Sequence, residues 1–328
     1  MPVMQQVATV EPRRISSLYS EMVDQPYTNC HLCPRECGVN RVEGQCGVCG
    51  ETAELRIASI APHFGEEPSF TGTRGSGTIF FTGCGSRCFF CQNYQISHEG
   101  MGTVYTADTF YEAAMELVGK RVHNLNFVTP DHFWPHIAEL CGRLRGEGVE
   151  IPFLFNCSGY EKPGMVPEYA EHIDIFMPDF KFADAALAKA CMGDPRYPEL
   201  AMETLGAMVD AKGFLHPWDP SGLETAREGV LVRHLVLPDN VQNSLDALRN
   251  LYDAFGPKLP LSVMSQFHPM AECTECHLLE RHLLNEEFAR VCELIEELGF
   301  EHVYVQSMPH SSDFLPDFRR PDPFRGNK

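Results

Sequence analysis

Gly83-Cys84-Gly85-Ser86-Arg87-Cys88-Phe89-Phe90-Cys91 sets three cysteines in a C-x-x-x-C-x-x-C spacing. Three thiolates this close in sequence suit an iron–sulfur cluster loop. Such cubes are normally held by four thiolates, so one iron is left to bind something other than protein. A metal with an open position is a reactive one. The preceding stretch, Ser76-Gly77-Thr78-Ile79-Phe80-Phe81-Thr82, reads as a short buried strand, and Gly83 and Gly85 permit backbone conformations that other residues resist. The pattern therefore predicts three ligands at the C-terminal end of a strand. Two plainer readings stand beside it: zinc ligation with a distant fourth residue, and buried apolar thiols.

Working outward, the chain has 328 residues, 44% of them hydrophobic, enough for one barrel-sized domain plus an appendage. No apolar run approaches the roughly 20 residues that span a bilayer, and residues 1–14 lack the basic-then-apolar pattern of a signal peptide, so a cytoplasmic protein is expected. In that reducing compartment fourteen cysteines, eight of them between Cys30 and Cys91, argue for metal sites rather than disulfides. A formal charge of −19 disfavours nucleic acid or an anionic membrane as a general partner and leaves a protein or small-molecule substrate.

After the cysteine loop, strand-like and helix-like segments alternate as in parallel βα units. Strands are expected at 78–82, 124–129, 152–156, 173–178, 230–236 and 261–266, each a mostly continuous apolar run suited to burial on both faces. Helices are expected at 107–122 behind a Thr106 cap, 134–146 with Pro135 in its first turn, 240–255 ending at Gly256-Pro257, and 286–298, before a last strand at 303–306. Six such units predict an α/β fold, a partial (βα)6 TIM barrel open on one side, with reactive groups at the C-terminal strand ends. The division is a cysteine-rich segment 1–71, a core 72–308 and a tail 309–328 that wraps the barrel without helical or strand period.

The Cys84, Cys88, Cys91 loop resembles the signature of the radical S-adenosylmethionine (SAM) superfamily, whose core is a (βα)6 barrel. The resemblance implies a [4Fe-4S] cluster with SAM at the fourth position and Phe90 near the adenine, in keeping with the stacking preference of flat π-systems. Phe127-Val128-Thr129-Pro130-Asp131-His132 stands where most members carry a Gly-Gly-Glu stretch that contacts the methionine amino group; Thr129, Asp131 and His132 are the substitutes available, with helix capping the alternative for Asp131. Asn156 and Ser158, in Asn156-Cys157-Ser158-Gly159-Tyr160, offer an amide and a hydroxyl for ribose or carboxylate, or else form a turn.

Asp179 and Lys181 resemble the Asp-x-Lys element of glycyl-radical-activating enzymes, and alternate spacing puts both on one side of an extended segment; a structural ion pair would look the same. Arg233 and His234, followed by Pro238, resemble the Arg-His-x-x-x-Pro stretch of those activases. Charged groups within a buried strand need partners, and an anionic cofactor group would be one; a hydrogen-bonded core residue is the alternative for His234. Gln266 and His268, at the end of the sixth strand, are candidates for the substrate side.

A second cysteine group comprises Cys30, Cys33, Cys37, Cys46 and Cys49. Two C-x-x-C knuckles separated by twelve residues resemble a zinc ribbon or rubredoxin site. The segment also resembles the N-terminus of a pyruvate formate-lyase-activating-enzyme-like branch, in which Cys30, Cys33, Cys37 and Cys46 match and Cys49 is extra. Zinc and an auxiliary iron–sulfur cluster both stay open. Cys273-x-x-Cys276-His277 is a third candidate, while Cys141, Cys191 and Cys292 read as helix-packing thiols.

The expected activity is reductive cleavage of SAM to a 5′-deoxyadenosyl radical that abstracts hydrogen from a substrate, by analogy a glycine of a glycyl radical enzyme, otherwise another protein or a metabolite. An electron donor such as flavodoxin or ferredoxin is implied. The non-enzyme alternative is an electron-transfer or zinc-stabilised interaction protein, with every metal fully ligated.

Overall fold

The computed structural model describes residues 23–308, 315–320 and 322–324. A seven-stranded sheet runs in the order β3-β1-β2-β4-β5-β6-β7, from β1 (Arg56–His63), β2 (Ser76–Phe81), β3 (Thr103–Val104), β4 (Leu125–Val128), β5 (Phe153–Cys157), β6 (Ile175–Pro178) and β7 (Gly229–Val230). A three-stranded sheet holds β8 (Val232–Leu235), β9 (Leu261–Met264) and β10 (Val303–Val305) in the order β10-β9-β8. All pairs are parallel except those of β1, which runs antiparallel to β2 and β3. This is the expected α/β fold, built on parallel strands with β1 as the antiparallel exception.

Two strands differ from the expected pattern. The 230–236 run divides at Leu231: β7 pairs with β6 and β8 with β9, and the Phe180 amide bonding to the Arg233 carbonyl at 2.7 Å stitches the two sheets together. Shifting partners within one apolar run bends the sheet toward closure. β1 was not expected because Arg-Ile-Ala-Ser-Ile-Ala-Pro-His is polar at one end and mostly half-buried.

Among the described residues the helices are α1 (Pro68–Thr71), α2 (Tyr94–Ser97), α3 (Ala107–Gly119), α4 (Trp134–Gly146), α5 (Val166–His172), α6 (Ala185–Met192), α7 (Tyr197–Lys212), α8 (Val241–Phe255), α9 (Ala271–Cys276) and α10 (Asn285–Leu298), with residues 23–28 also helical. Thr106 caps α3 with its hydroxyl on the Thr109 amide, satisfying a donor that the helix start leaves open.

Side-chain alternation along the strands sends their apolar residues into separate core clusters, two of which frame the site. Phe127, Phe153, Phe155 and Phe176 join the large cluster shared with the helices. Leu154, Ile175, Met177 and Leu231 point the other way, and α1 delivers Phe70 against them. Higher on this inner face Arg233 is gripped by Glu66 and Glu67, its Nε 2.8 Å from Glu67 Oε1, and Asn126 donates to Glu66 at 3.1 Å. Of the tail, Phe318 and Phe324 pack on Phe80 of β2, ring centroids 5.4 and 5.6 Å away. Phe70 is fully buried, so Phe70→Ala is expected to cost about 3–5 kcal/mol in urea denaturation, from lost transfer energy plus the cavity left behind.

Candidate active site at the strand ends

β2 delivers the cysteine loop through a turn that excludes side chains. At Gly83 (φ +73°) a Cβ would stand 2.5 Å from Glu51 Cγ and 2.8 Å from the Cys49 carbonyl; at Gly85 it would meet Cys33 Sγ at 3.3 Å. The Cys84 amide donates to the Cys49 carbonyl (3.3 Å), the Phe89 amide to Cys191 (3.1 Å) and the Cys91 amide to Cys88 (3.1 Å). From outside, Arg35 clamps the carbonyls of Gly85 (2.8 Å), Ser86 (3.1 Å) and Met192 (2.6 Å).

The three thiols face one another closely enough for their thiolates to repel. Burial first, then Cys91 and Asp131, push Cys84 up to about 12, and burial likewise raises Cys88 and Cys91. As free groups they are neutral; a metal that deprotonates its thiol ligands reverses this. Charge compensation is already built: Ser86 and Arg87 amides donate to Cys84, the Ser97 hydroxyl donates to Cys91 Sγ at 3.3 Å, and Lys181 faces Cys88 and Cys84. Although burial opposes its charge, Lys181 is kept protonated by Asp179, to which it is directly bonded, and by those thiols. In a cube each thiolate binds a different iron, so the sulfurs need only border a common volume. The donor set fits a cluster.

Groups from three further strand ends reach the loop. After β4, His132 Nε2 donates to the Thr82 carbonyl at 2.7 Å and sets neighbouring Asp131 so that its Oδ2 lies 3.7 Å from the Cβ position of Gly85. Thr129 adopts φ +55°, a conformation β-branched residues avoid, while its amide bonds to the Asn156 carbonyl at 2.8 Å. After β5, Ser86 donates to the Ser158 hydroxyl at 2.8 Å, and Asn156 is half-buried on the face shared with Leu154. After β6, Lys181 stands beside Cys88 and Asp179 faces Cys91, and Tyr197 of α7 ties both loops by donating to the carbonyls of Ser158 and Asp179, each at 2.9 Å. Phe90 is boxed by Phe89, Phe182 and Phe267 at 5.7, 6.2 and 6.0 Å.

Other candidates lie elsewhere. Arg233 is committed to Glu66 and Glu67 on the inner face. His234, next in sequence, points to the helix side and uses both ring nitrogens, on the Phe180 carbonyl (2.6 Å) and Ser244 Oγ (2.8 Å). Gln266 bonds through its side chain to Gln306 (2.8 Å) and through its carbonyl to Gln92 (3.0 Å). Of the N-terminal cysteines, Cys30, Cys33 and Cys49 are buried, Cys37 is half-buried and Cys46 exposed. Cys273 is buried and Cys276 exposed, both within electrostatic reach of Cys191.

Glu161 escaped the sequence reading, although Ser158-x-x-Glu161 has the spacing of a capping box. Its Oε1 accepts the Ser158 amide (3.1 Å) and hydroxyl (3.2 Å), and its buried Oε2 has no partner. Burial, then the charge of Asp131, push this carboxyl up to about 8, so it is protonated at neutral pH.

Residues 78–214 match the family model of the radical SAM superfamily. The chain is similar to two uncharacterised proteins of Methanocaldococcus jannaschii: MJ0674, 26% identical over 295 residues covering 87% of this chain and 79% of that protein, and MJ0808, 22% identical over 326 residues covering 89% and 85%. Among solved structures it is similar to methylornithine synthase (PylB), with a TM-score of 0.45, 12% identity and 70% of each chain covered. Another is Streptococcus suis SuiB bound to precursor peptide SuiA, with a TM-score of 0.46, 11% identity, and 68% of this chain and 46% of that one covered.

Folded Glu161 holds its proton up to about 8, and the unfolded carboxyl loses it near 4.5. Between those values the folded state binds the extra proton, so this group makes stability fall as pH rises through the window and level off above it. Thermal melts from pH 4.5 to 9 should show that slope in wild type and its loss in Glu161→Gln.

Proposed function

We propose that this chain, whose residues 78–214 match the radical SAM family model, is a radical SAM enzyme that cleaves SAM, that Cys84, Cys88 and Cys91 hold its [4Fe-4S] cluster, and that the substrate is a glycine of a glycyl radical enzyme. The observation that carries the site is the convergence of four strand ends on one loop: three thiols from β2, Asp131 after β4, Ser158 after β5, and Asp179 with Lys181 after β6. When bound, the cluster and SAM supply a one-electron cleavage that yields a 5′-deoxyadenosyl radical.

The protein's own residues bind, orient and exclude water. Asp131, beside Gly85, is the anion available to the methionine ammonium, and Glu161 stays neutral behind it, so the pair presents one negative charge rather than two. Lys181 offers a cation for the methionine carboxylate, while Ser158, whose hydroxyl donates to Glu161, accepts from Ser86 and orients the loop from the β5 end. Phe90, with Phe89, Phe182 and Phe267, gives an apolar aromatic wall suited to the adenine. Asn156 and strained Thr129 border the same opening, whereas Arg233 and His234 act as a frame that fixes β8. Asp179 and Lys181, matching the activase element, support the glycine target. A one-electron protein donor of the flavodoxin or ferredoxin class supplies the reducing equivalent, and a second metal sits at the N-terminal cysteines. No helix among the described residues is long and apolar enough to cross a membrane.

Anaerobically reconstituted wild type with dithionite should convert SAM to 5′-deoxyadenosine, and Cys88→Ala should fall to background; a wild type with full cluster iron and no product overturns the reading. Asp131→Asn should weaken SAM binding about ten- to hundredfold in equilibrium titration, the loss of one charge-assisted hydrogen bond. Partner capture followed by electron paramagnetic resonance tests the glycine: a backbone-centred radical on the partner supports it, and a modified peptide or metabolite replaces it.

A further inference from the structure

Arg41 has no part in the chemistry above, yet it is the most deeply buried cation of the N-terminal segment. Its guanidinium donates to the carbonyls of Thr52 (3.1 and 2.7 Å) and His132 (2.7 Å) and to Cys30 Sγ (3.7 Å), and lies over the rings of Tyr27 (4.5 Å) and Phe133 (5.4 Å). Among the described residues it forms no ion pair with a carboxylate. A buried cation with only neutral acceptors is costly, so the site calls for a negative charge. Tyr27 adds a second demand: its ring is fully buried and its hydroxyl has no hydrogen-bond partner.

The groups that face both residues are Cys30 and Cys49. Cys33 completes the set, each of the three lying within electrostatic reach of the other two. Tight turns hold them: the Cys30 amide bonds to the Val39 carbonyl and the Gly38 amide returns to Cys30, both at 3.0 Å, while the Gly50 amide bonds to Gly47 at 3.1 Å. Cys37 instead accepts the Val48 amide (3.3 Å), and Cys46 is exposed. The buried set therefore includes Cys49, the residue extra to the family-like pattern, and leaves out Cys46. Neutral thiols would leave Arg41 without a counter-charge and Tyr27 without a good acceptor. Metal-bound thiolates and bridging sulfides supply both.

We propose that Cys30, Cys33 and Cys49 ligate an auxiliary iron–sulfur cluster, with Arg41 and Tyr27 donating to its sulfurs, directly behind the Cys84, Cys88 and Cys91 loop. A cluster suits the site because its bridging sulfides add acceptors for the Arg41 guanidinium and the unpartnered Tyr27 hydroxyl beyond the three thiolates. Adjacency follows from contacts already present: Cys33 Sγ stands 3.3 Å from the Cβ position of Gly85, and the Cys49 carbonyl accepts the Cys84 amide. The inference deepens the reading of a second metal at the N-terminal cysteines and rests on that reading, not on SAM cleavage.

The test uses the full chain with Cys84, Cys88 and Cys91 all changed to Ala, reconstituted anaerobically with iron and sulfide and assayed for iron, sulfide and zinc. The expected result is retention of about half the wild-type iron and sulfide, as one of two clusters. Adding Cys49→Ala should take iron to background, whereas adding Cys46→Ala should leave it in place. Arg41→Gln in the same background should keep the iron and move the cluster's midpoint potential to a more negative value, because a positive charge beside the sulfurs is gone; this readout decides the matter if Cys49→Ala does not fold. In the intact protein, both reduced clusters should broaden each other's paramagnetic resonance. One zinc per chain without iron overturns the cluster while keeping a second metal. A metal-free variant overturns both, and an unchanged potential in Arg41→Gln overturns the proposed cation.

Discussion

Burial of three thiols on one short loop, with repulsion between their sulfurs added to it, is the constraint from which the site's construction follows. Cys84, Cys88 and Cys91 are pressed together and shielded from water, a setting that favours neutral thiols until a metal takes the proton's place. The surroundings are built to lower the cost of that negative charge. Backbone amides of Ser86 and Arg87 and the Ser97 hydroxyl point at sulfur, and Lys181 is held in place by Asp179. Glycines at 83 and 85 let the N-terminal segment press so close that its own thiols lie against the loop.

The inner face of the sheets is correspondingly zoned. Phe70, Leu154, Ile175 and Met177 form a dry plug, and above it the Arg233, Glu66 and Glu67 network spans from β8 to the segment before α1. Buried ions of this kind stabilise little on balance but are expensive to break, since removing one partner strands the other charge. Their effect here is geometric: they tie the three-stranded sheet to the larger one, so that the β6 loop with Asp179 and Lys181 keeps its distance from Cys88. Glu161 and Asp131 show the same economy, two carboxyls sharing one negative charge at the opening.

Much of the architecture was legible because parallel strands buried on both faces read as plain apolar runs, and because helix starts announce themselves through residues such as Thr106 and Pro135. The strand near 230 was placed correctly as an apolar run, but its division at Leu231 depends on which neighbour offers hydrogen bonds on each side. β1 escaped because a strand half-buried at nearly every position, paired between β2 and the two-residue β3, carries no strong period. Glu161 escaped for a different reason: its spacing to Ser158 is an ordinary capping signal, and only burial against Asp131 changes its charge.

Local sequence by itself determined the cysteine loop, its position after a buried strand, and the alternation of βα units, since each depends on residues close together in the chain. Tertiary structure decided what those residues face. It set Arg233 and His234 on opposite sides of one strand, brought Ser158 to Ser86, and gathered Cys30 and Cys49 around Arg41 while leaving Cys46 in solvent. The physical reason is that charge state, burial and partner choice depend on every element packed nearby, whereas backbone period depends only on the next few residues.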